Sequence, residues 1–265
     1  MYSFDYRRPH SLGEVDLAFK AMPGAKLLAG GQTLIPTMKN RLARPESVID
    51  LTGVPGLDGI SASASTLKIG AMSTHAWVAR ADEVARSVPG LAALAAGIGD
   101  PHVRNRGTIG GSIANNDPAA DYPAAVLALG ATIETDKRQI AADDFFKGLF
   151  TTALGETEVI TAIHVALPVK FAYAKFANPA SRYALVGVAV AQRGSDVRVA
   201  VTGAGSGGVF RVPAMEAALK ANFSAGAVAG VKVDPAMLMS DIHADAAYRA
   251  HLVGVMAKRA VAAIA

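Results

Sequence analysis

Residues 104–123 read RNRGTIGGSIANNDPAADYP. Glycines, prolines and asparagines alternate there with apolar residues, and no cysteine or histidine interrupts them. Paired glycines let main-chain N–H groups approach a ligand with no Cβ in the way, and neighbouring hydroxyls add donors. Gly107-Thr108-Ile109-Gly110-Gly111-Ser112 therefore reads as a glycine loop for a diphosphate, whose several oxygens accept hydrogen bonds. Arg104 and Arg106 flank the loop, placed to neutralise phosphate or to bridge to a partner. Asp121 follows the glycines. It can accept from ribose hydroxyls or supply the N-terminal charge of a helix over 120–129, and the two roles are compatible.

A second segment shares this design. The apolar run Lys26-Leu27-Leu28-Ala29 ends in Gly30-Gly31, followed by Gln32 and Thr33. Either glycine pair alone reads as a tight turn; two pairs, each with its own hydroxyl, weigh against that reading. Neither is a P-loop, since no Gly-Lys-Ser/Thr follows. Gly203-Ala204-Gly205-Ser206-Gly207-Gly208 matches GxGxxG formally after a strand over 196–202. Val209 to Pro213 intervene before any helix, and no acid lies about 20 residues on to hold a ribose, so it reads as a strand-to-helix loop.

Outward from these motifs the chain divides. Ser11-Leu12-Gly13-Glu14 fits a capping box, and Leu12, Val15, Ala18, Phe19 and Met22 recur at helical spacing until Pro23-Gly24. Helix 12–22, a strand at 26–29, the glycine turn, a helical segment at 34–42 and a strand at 47–51 suggest a small parallel unit. After a turn at 54–57 come a strand at 66–70, helical patterns over 74–86 and 89–97, and strands at 131–135, 138–141 and 158–166. Beyond Pro168 strands at 171–176, 184–191 and 196–202 precede helices at 213–221 and 247–263. The expected class is α+β, with residues 1–170 forming one domain of two α/β lobes (about 1–55 and 56–170) and 171–265 a smaller C-terminal domain. Trp77 reads as core, and His75 as a buried, satisfied histidine or a site-lining one. Tyr183, beside Arg182, reads as a packing or interface residue, or as a ring that stacks on a flat ligand.

Bulk properties narrow the function. The 265 residues are 51% hydrophobic and 18% charged, enough apolar material for a core and too much for a disordered chain. Apolar stretches such as 184–191 fall far short of the roughly 18 to 20 residues that span a bilayer. The start MYSFDYRRPHS has no apolar segment behind its arginines, so the expected compartment is the cytoplasm. With no cysteine, disulfides, thiolate nucleophiles and cysteine-ligated clusters on this chain are excluded. The six histidines show no metal-binding spacing. The net charge of +4 is dispersed and only 6% of residues are aromatic, which argues against nucleic acid. Redox chemistry, if present, must come from a bound organic cofactor.

Ala29 to Leu34, Met38-Lys39-Asn40-Arg41-Leu42-Ala43-Arg44-Pro45, and Arg104 to Ser112 with Asp117-Pro118-Ala119-Ala120-Asp121 resemble the FAD-binding medium subunits of molybdenum hydroxylases, the carbon monoxide dehydrogenase and xanthine dehydrogenase family. Phe4-Asp5-Tyr6 with Arg8-Pro9, and Arg182 to Val190, are also similar to it, so the resemblance runs nearly end to end. It implies an FAD-binding fold of the vanillyl-alcohol-oxidase (PCMH) type and a C-terminal α+β domain. It implies that Ala29, Gly30, Gly31, Gln32, Thr33, Leu34, Thr108, Gly110, Gly111 and Ser112 hold the FAD diphosphate. Asp121 would lie on the ribose side, Ile160 near the adenine, Lys175 at the flavin, and Tyr183 at the isoalloxazine face. Ser112 stands where some relatives carry asparagine, and its hydroxyl still bonds. The resemblance further implies a large partner subunit with the molybdenum cofactor and a small one with [2Fe-2S] clusters, as a dimer of heterotrimers. Electrons would pass through this chain to an external acceptor, without acid/base residues of its own. The competing readings are a self-sufficient flavin oxidase or reductase of the same fold and a basic binding module without flavin.

Overall fold

A computed structural model describes residues 1–264. The N-terminal lobe is a three-stranded parallel sheet with Ser47–Asp50 between Asp5–Arg7 and Lys26–Leu28. Helix Leu12–Ala21 begins as its sequence requires: the Ser11 side chain accepts from Glu14 N, and the Glu14 carboxylate accepts from His10 N. It buries Val15 and Phe19 in a cluster with Ile49, Leu51 and Leu57. The outer strand Asp5–Arg7 is too short and too exposed to carry a period, and its pairing with Ser47–Asp50 completes the lobe.

The second lobe holds a five-stranded antiparallel sheet in the order Ile60–Ala62, Thr66–Gly70, Ile160–Ala166, Thr132–Thr135, Gln139–Ala141. Helices from the intervening sequence pack on it and build the largest core. The pattern over 74–86 is not one helix. His75–Arg80 and Asp82–Ser87 meet at Ala81, whose backbone is extended. The first of them turns Ala76 and Val78 inward, which leaves Trp77 42% exposed rather than in the core.

The 104–123 stretch also corrects its reading as a loop. Ile109–Asn115 is a helix: Thr108 caps it by accepting from Gly111 N, Ile109 and Ile113 stack one turn apart in the core, and Asn116 ends it at φ 45°. Burying those two isoleucines contributes about 1.5–3 kcal/mol each, which outweighs the roughly 1 kcal/mol that each helical glycine costs. Helix Asp121–Ala128 follows, buried along its whole length. An all-round apolar helix needs cover on every side, and the C-terminal sheet supplies the far side.

That sheet is an antiparallel run of Lys170–Ala177, Ala184–Arg193, Asp196–Thr202 and Phe210–Arg211. Its second strand is buried on both faces. Val186, Val188 and Val190 join the C-terminal core with Met215, Val253 and Met256, while Ala189 and Ala191 join the core of the five-stranded lobe. Helices Pro213–Ala221 and Ala246–Ile264 close the valine face. The glycine-rich 203–208 segment links two antiparallel strands, so no Rossmann crossover exists there. No helix of the described residues is long and apolar enough to cross a membrane.

Candidate cofactor site

A cavity of about 1030 Å³ opens among the Lys26–Leu34 segment, residues 98–121, residues 150–160 and the turn 180–183. Its volume is at the upper end of the roughly 300–1,000 Å³ typical of ligand pockets. Ala29, Gly30, Gly31, Gln32, Thr33 and Leu34 line it, as do Thr108, Gly110, Gly111 and Ser112. Asp121, Ile160 and Tyr183 line it too; Lys175 does not.

The two glycine segments touch each other. A Cβ on Gly30 would lie 2.6 Å from the Arg106 carbonyl carbon and 2.7 Å from Gly107 Cα, distances that only a missing side chain permits. Gly31 turns the chain at φ +72°, the left-handed region that glycine enters without penalty. Beyond it, Gln32 and Thr33 lead into helix Leu34–Lys39. Among the described residues, no protein acceptor takes the N–H of Gly30, Gly31, Gln32 or Thr33. The second segment behaves differently. Ile109 N donates to Ser73 O, Gly110 N to Ala71 O at 2.9 Å, and Gly111 N to the Thr108 hydroxyl. Gly107 N and Ser112 N are engaged as well, by Val103 O and Thr108 O, and among the described residues Thr108 N is the donor of this segment without a protein acceptor. The row of free donors belongs to 30–33.

Asp121 is buried at the start of its helix. The Lys175 ammonium donates to it at 2.9 Å and also to Gly97 O, and the Tyr173 hydroxyl donates to its other oxygen at 2.5 Å. Burial raises the Asp121 pKa, while the Lys175 charge and the two hydrogen bonds oppose the rise. Lys175 thus stands behind Asp121 rather than on the cavity wall. The preceding residues are strapped to the C-terminal sheet: Gly203 N donates to Pro118 O at 2.7 Å, the Thr202 hydroxyl to Pro118 O and Ala120 O, and Ala184 N to Ala119 O.

Arg104 is a structural residue. Its guanidinium donates to Ile98 O and Gly99 O, fixing a turn that lines the cavity. His75 lines the cavity and is buried, yet its Nδ1 has no partner, so it is not the satisfied histidine expected. Burial, aided by the Arg104 charge, holds its pKa down at about 4 and keeps the ring neutral. Sequence reasoning missed Phe150, Leu154 and Val159 among the lining residues. The aromatic-rich run Phe145-Phe146-Lys147-Gly148-Leu149-Phe150 was the available signal. Among the described residues no three or more His, Cys, Asp or Glu side chains gather as a metal site would require.

A large cavity floored by a glycine turn with a row of free N–H donors, and flanked by a buried carboxylate, defines a chain built around an extended anionic cofactor. Comparison with known proteins gives that class its family. Residues 2–168 match the family described as the FAD binding domain in molybdopterin dehydrogenase. The chain is 37% identical to the nicotine 6-hydroxylase medium subunit of Paenarthrobacter nicotinovorans, over 97% of this chain and 95% of that one. It is also 37% identical to the carbon monoxide dehydrogenase medium chain of Hydrogenophaga pseudoflava, over 97% and 96%. The structure of reconstituted CO dehydrogenase from Oligotropha carboxidovorans superposes with a TM-score of 0.90 at 33% identity, covering 100% of this chain and 99% of that one. The chain belongs to the FAD-binding family of molybdopterin dehydrogenases and is an FAD-binding oxidoreductase subunit.

Proposed function

We propose that this chain is the medium subunit of a molybdenum hydroxylase complex. It would accept electrons from [2Fe-2S] clusters on a small partner subunit and pass them to an external acceptor. A large partner subunit would carry the molybdenum cofactor and the substrate, the complex would be a dimer of heterotrimers, and its compartment would be the cytoplasm. FAD, when bound, supplies the redox chemistry that links electrons arriving from the clusters to those leaving for the acceptor. Within the chain, residues 1–170 form the cofactor domain and 171–265 the unit that braces it.

The observation that carries this reading is the run of unpartnered N–H groups at Gly30, Gly31, Gln32 and Thr33, which matches the oxygens of a diphosphate. Ala29 and Leu34 bound that turn, and Thr108, Gly110, Gly111 and Ser112 form the surface pressed against it. Asp121 is oriented toward the ribose side and Ile160 supplies an apolar wall toward the adenine. Lys175 acts through Asp121, and Tyr183 offers a ring at the flavin end.

Gly111→Val tests the site. A Cβ there meets the Thr108 hydroxyl at 2.9 Å and Ala29 Cβ at 3.4 Å, and the valine methyls extend further into the cavity. The purified variant is expected to lose its visible flavin absorbance; full retention would overturn the assignment. Co-purification of the native complex, with partner identification and iron and molybdenum analysis, tests the subunit role.

A further inference from the structure

Two short strands, Phe146–Gly148 and Thr151–Thr152, form a hairpin whose tip is Leu149-Phe150. Phe150 lines the cavity, is 59% exposed, and holds φ at +53°, a left-handed conformation that bulky side chains rarely adopt. An exposed apolar ring on a strained residue gives the isolated chain nothing in return, and such strain persists where the surroundings impose it.

Here the surroundings are specific. The Asn116 amide, 2% exposed, donates to Gly148 O at 2.7 Å and Thr151 O at 2.9 Å, bracketing the tip. Phe150 N donates in turn to Asn116 O. Asn116 is the left-handed residue that ends helix Ile109–Asn115, the helix that opens with Thr108 and the glycine pair. The hairpin tip is therefore held in register with the glycine segment of the same cavity.

We propose that Phe150 is a cofactor-contacting residue, an aromatic wall that stacks on a flat ring of the bound dinucleotide. The proposal rests on the FAD reading above and adds a contact that the glycine motifs do not contain. Phe150 and Tyr183 are then the aromatic side chains that the cavity offers to a ring, both on turns with a left-handed residue, at Phe150 itself and at Arg182.

The test uses full-length wild type, Phe150→Asn and Phe150→Tyr, with FAD titration and thermal unfolding with and without FAD. Asparagine enters the left-handed region more readily than phenylalanine, so Phe150→Asn is expected to unfold at an equal or higher temperature without FAD. The same variant is expected to bind FAD about threefold to tenfold more weakly. Phe150→Tyr restores the affinity. Opposite movement of flavin-free stability and FAD affinity is an outcome that a purely structural role does not produce. Unchanged affinity in Phe150→Asn would overturn the proposal while leaving the FAD reading intact. A Phe150→Asn chain that no longer folds would also overturn it, by showing that the ring serves the fold. A wild-type chain that takes up no FAD would overturn the reading beneath it.

Discussion

Replacing Gly30 by alanine adds one methyl group where two backbone segments meet. The new Cβ would fall 2.6 Å from the Arg106 carbonyl carbon and 2.7 Å from Gly107 Cα, against 3.4–4 Å for ordinary contact. Both neighbours are backbone, so no flexible side chain can yield, and the segments must part by about 1 Å. Overpacking of this kind costs about 1–3 kcal/mol. For a chain of this size that lowers Tm by roughly 2–12 °C. The shift also displaces the free N–H groups of 30–33, and hydrogen bonds from N–H to O weaken steeply over such a distance, so FAD retention is expected to fall at least about tenfold. The matched control is Gly207→Ala, in the formal GxGxxG segment. A Cβ there meets nothing within 4 Å, and Gly207 has no positive φ. Its stability should stay within about 0.5 kcal/mol of wild type and its flavin content unchanged. Thermal unfolding and flavin absorbance of the two purified variants decide the matter. Equal behaviour of Gly30→Ala and Gly207→Ala would refute the claim that contact between the glycine segments builds the site.

Lys175→Met leaves the buried Asp121 carboxylate with Tyr173 as its remaining side-chain donor. Losing one partner of a pair this buried costs about 3–5 kcal/mol, and Asp121→Asn in the same chain should recover part of it. With the Lys175 charge gone, the folded-state pKa of Asp121 rises further above its unfolded value. The variant should therefore lose stability as pH rises from the ordinary carboxylate range up through the raised folded-state pKa, and a flat profile would count against the pairing. Glu158 behaves oppositely: the Arg138 guanidinium above all, with Gly155 N–H and the Thr135 hydroxyl, pulls its pKa from 4.5 to about 2. Its contribution is complete above pH 4.5 and drains away toward about pH 2, and Arg138→Met should flatten that part of a denaturation profile. A chain stopped at residue 170 would expose the core that Phe171, Ala189, Ala191 and Ala200 cover, and would strip Asp121 of both side-chain donors. It should aggregate or bind no flavin, and a monodisperse, fully flavinylated fragment would contradict the bracing role given to the C-terminal unit.

The longer elements were legible because their periods are strong. Helix Pro213–Ala221 and strands Thr66–Gly70 and Asp196–Thr202 lie where periodicity predicts them. Asp5–Arg7, Ile60–Ala62 and Phe210–Arg211 are too short for a period and exist through their partners. The 109–115 helix was obscured by its glycines, although its signals were present: Thr108 as cap, Ile109 and Ile113 one turn apart, and Asn116 to end it. The glycine motifs identified the cavity because their residues are neighbours in the chain. What Gly30 meets, and which cation reaches Asp121, depends on contacts across the fold that no local pattern encodes. Trp77 misled for the same reason, since helical spacing names a stripe without saying which side faces the core.

The two faces of strand Ala184–Arg193 explain how the C-terminal unit reaches the site. A strand covered on both sides normally carries large apolar residues throughout, but here valines point to one side and alanines to the other. Alanine's short side chain allows helix Asp121–Ala128 to lie close against the sheet, and the contacts of that helix with both central strands follow. At that spacing the neighbouring strand Lys170–Ala177 brings Tyr173 and Lys175 onto Asp121, and the end of Asp196–Thr202 brings Thr202 onto the carbonyls of Pro118 and Ala120. Larger residues at Ala189 or Ala191 would push the helix outward and lengthen each of those bonds together. The buried acid at the cavity is therefore positioned by methyl groups on a strand that gives its carboxylate no hydrogen bond, and its ionisation and placement are properties of the whole chain.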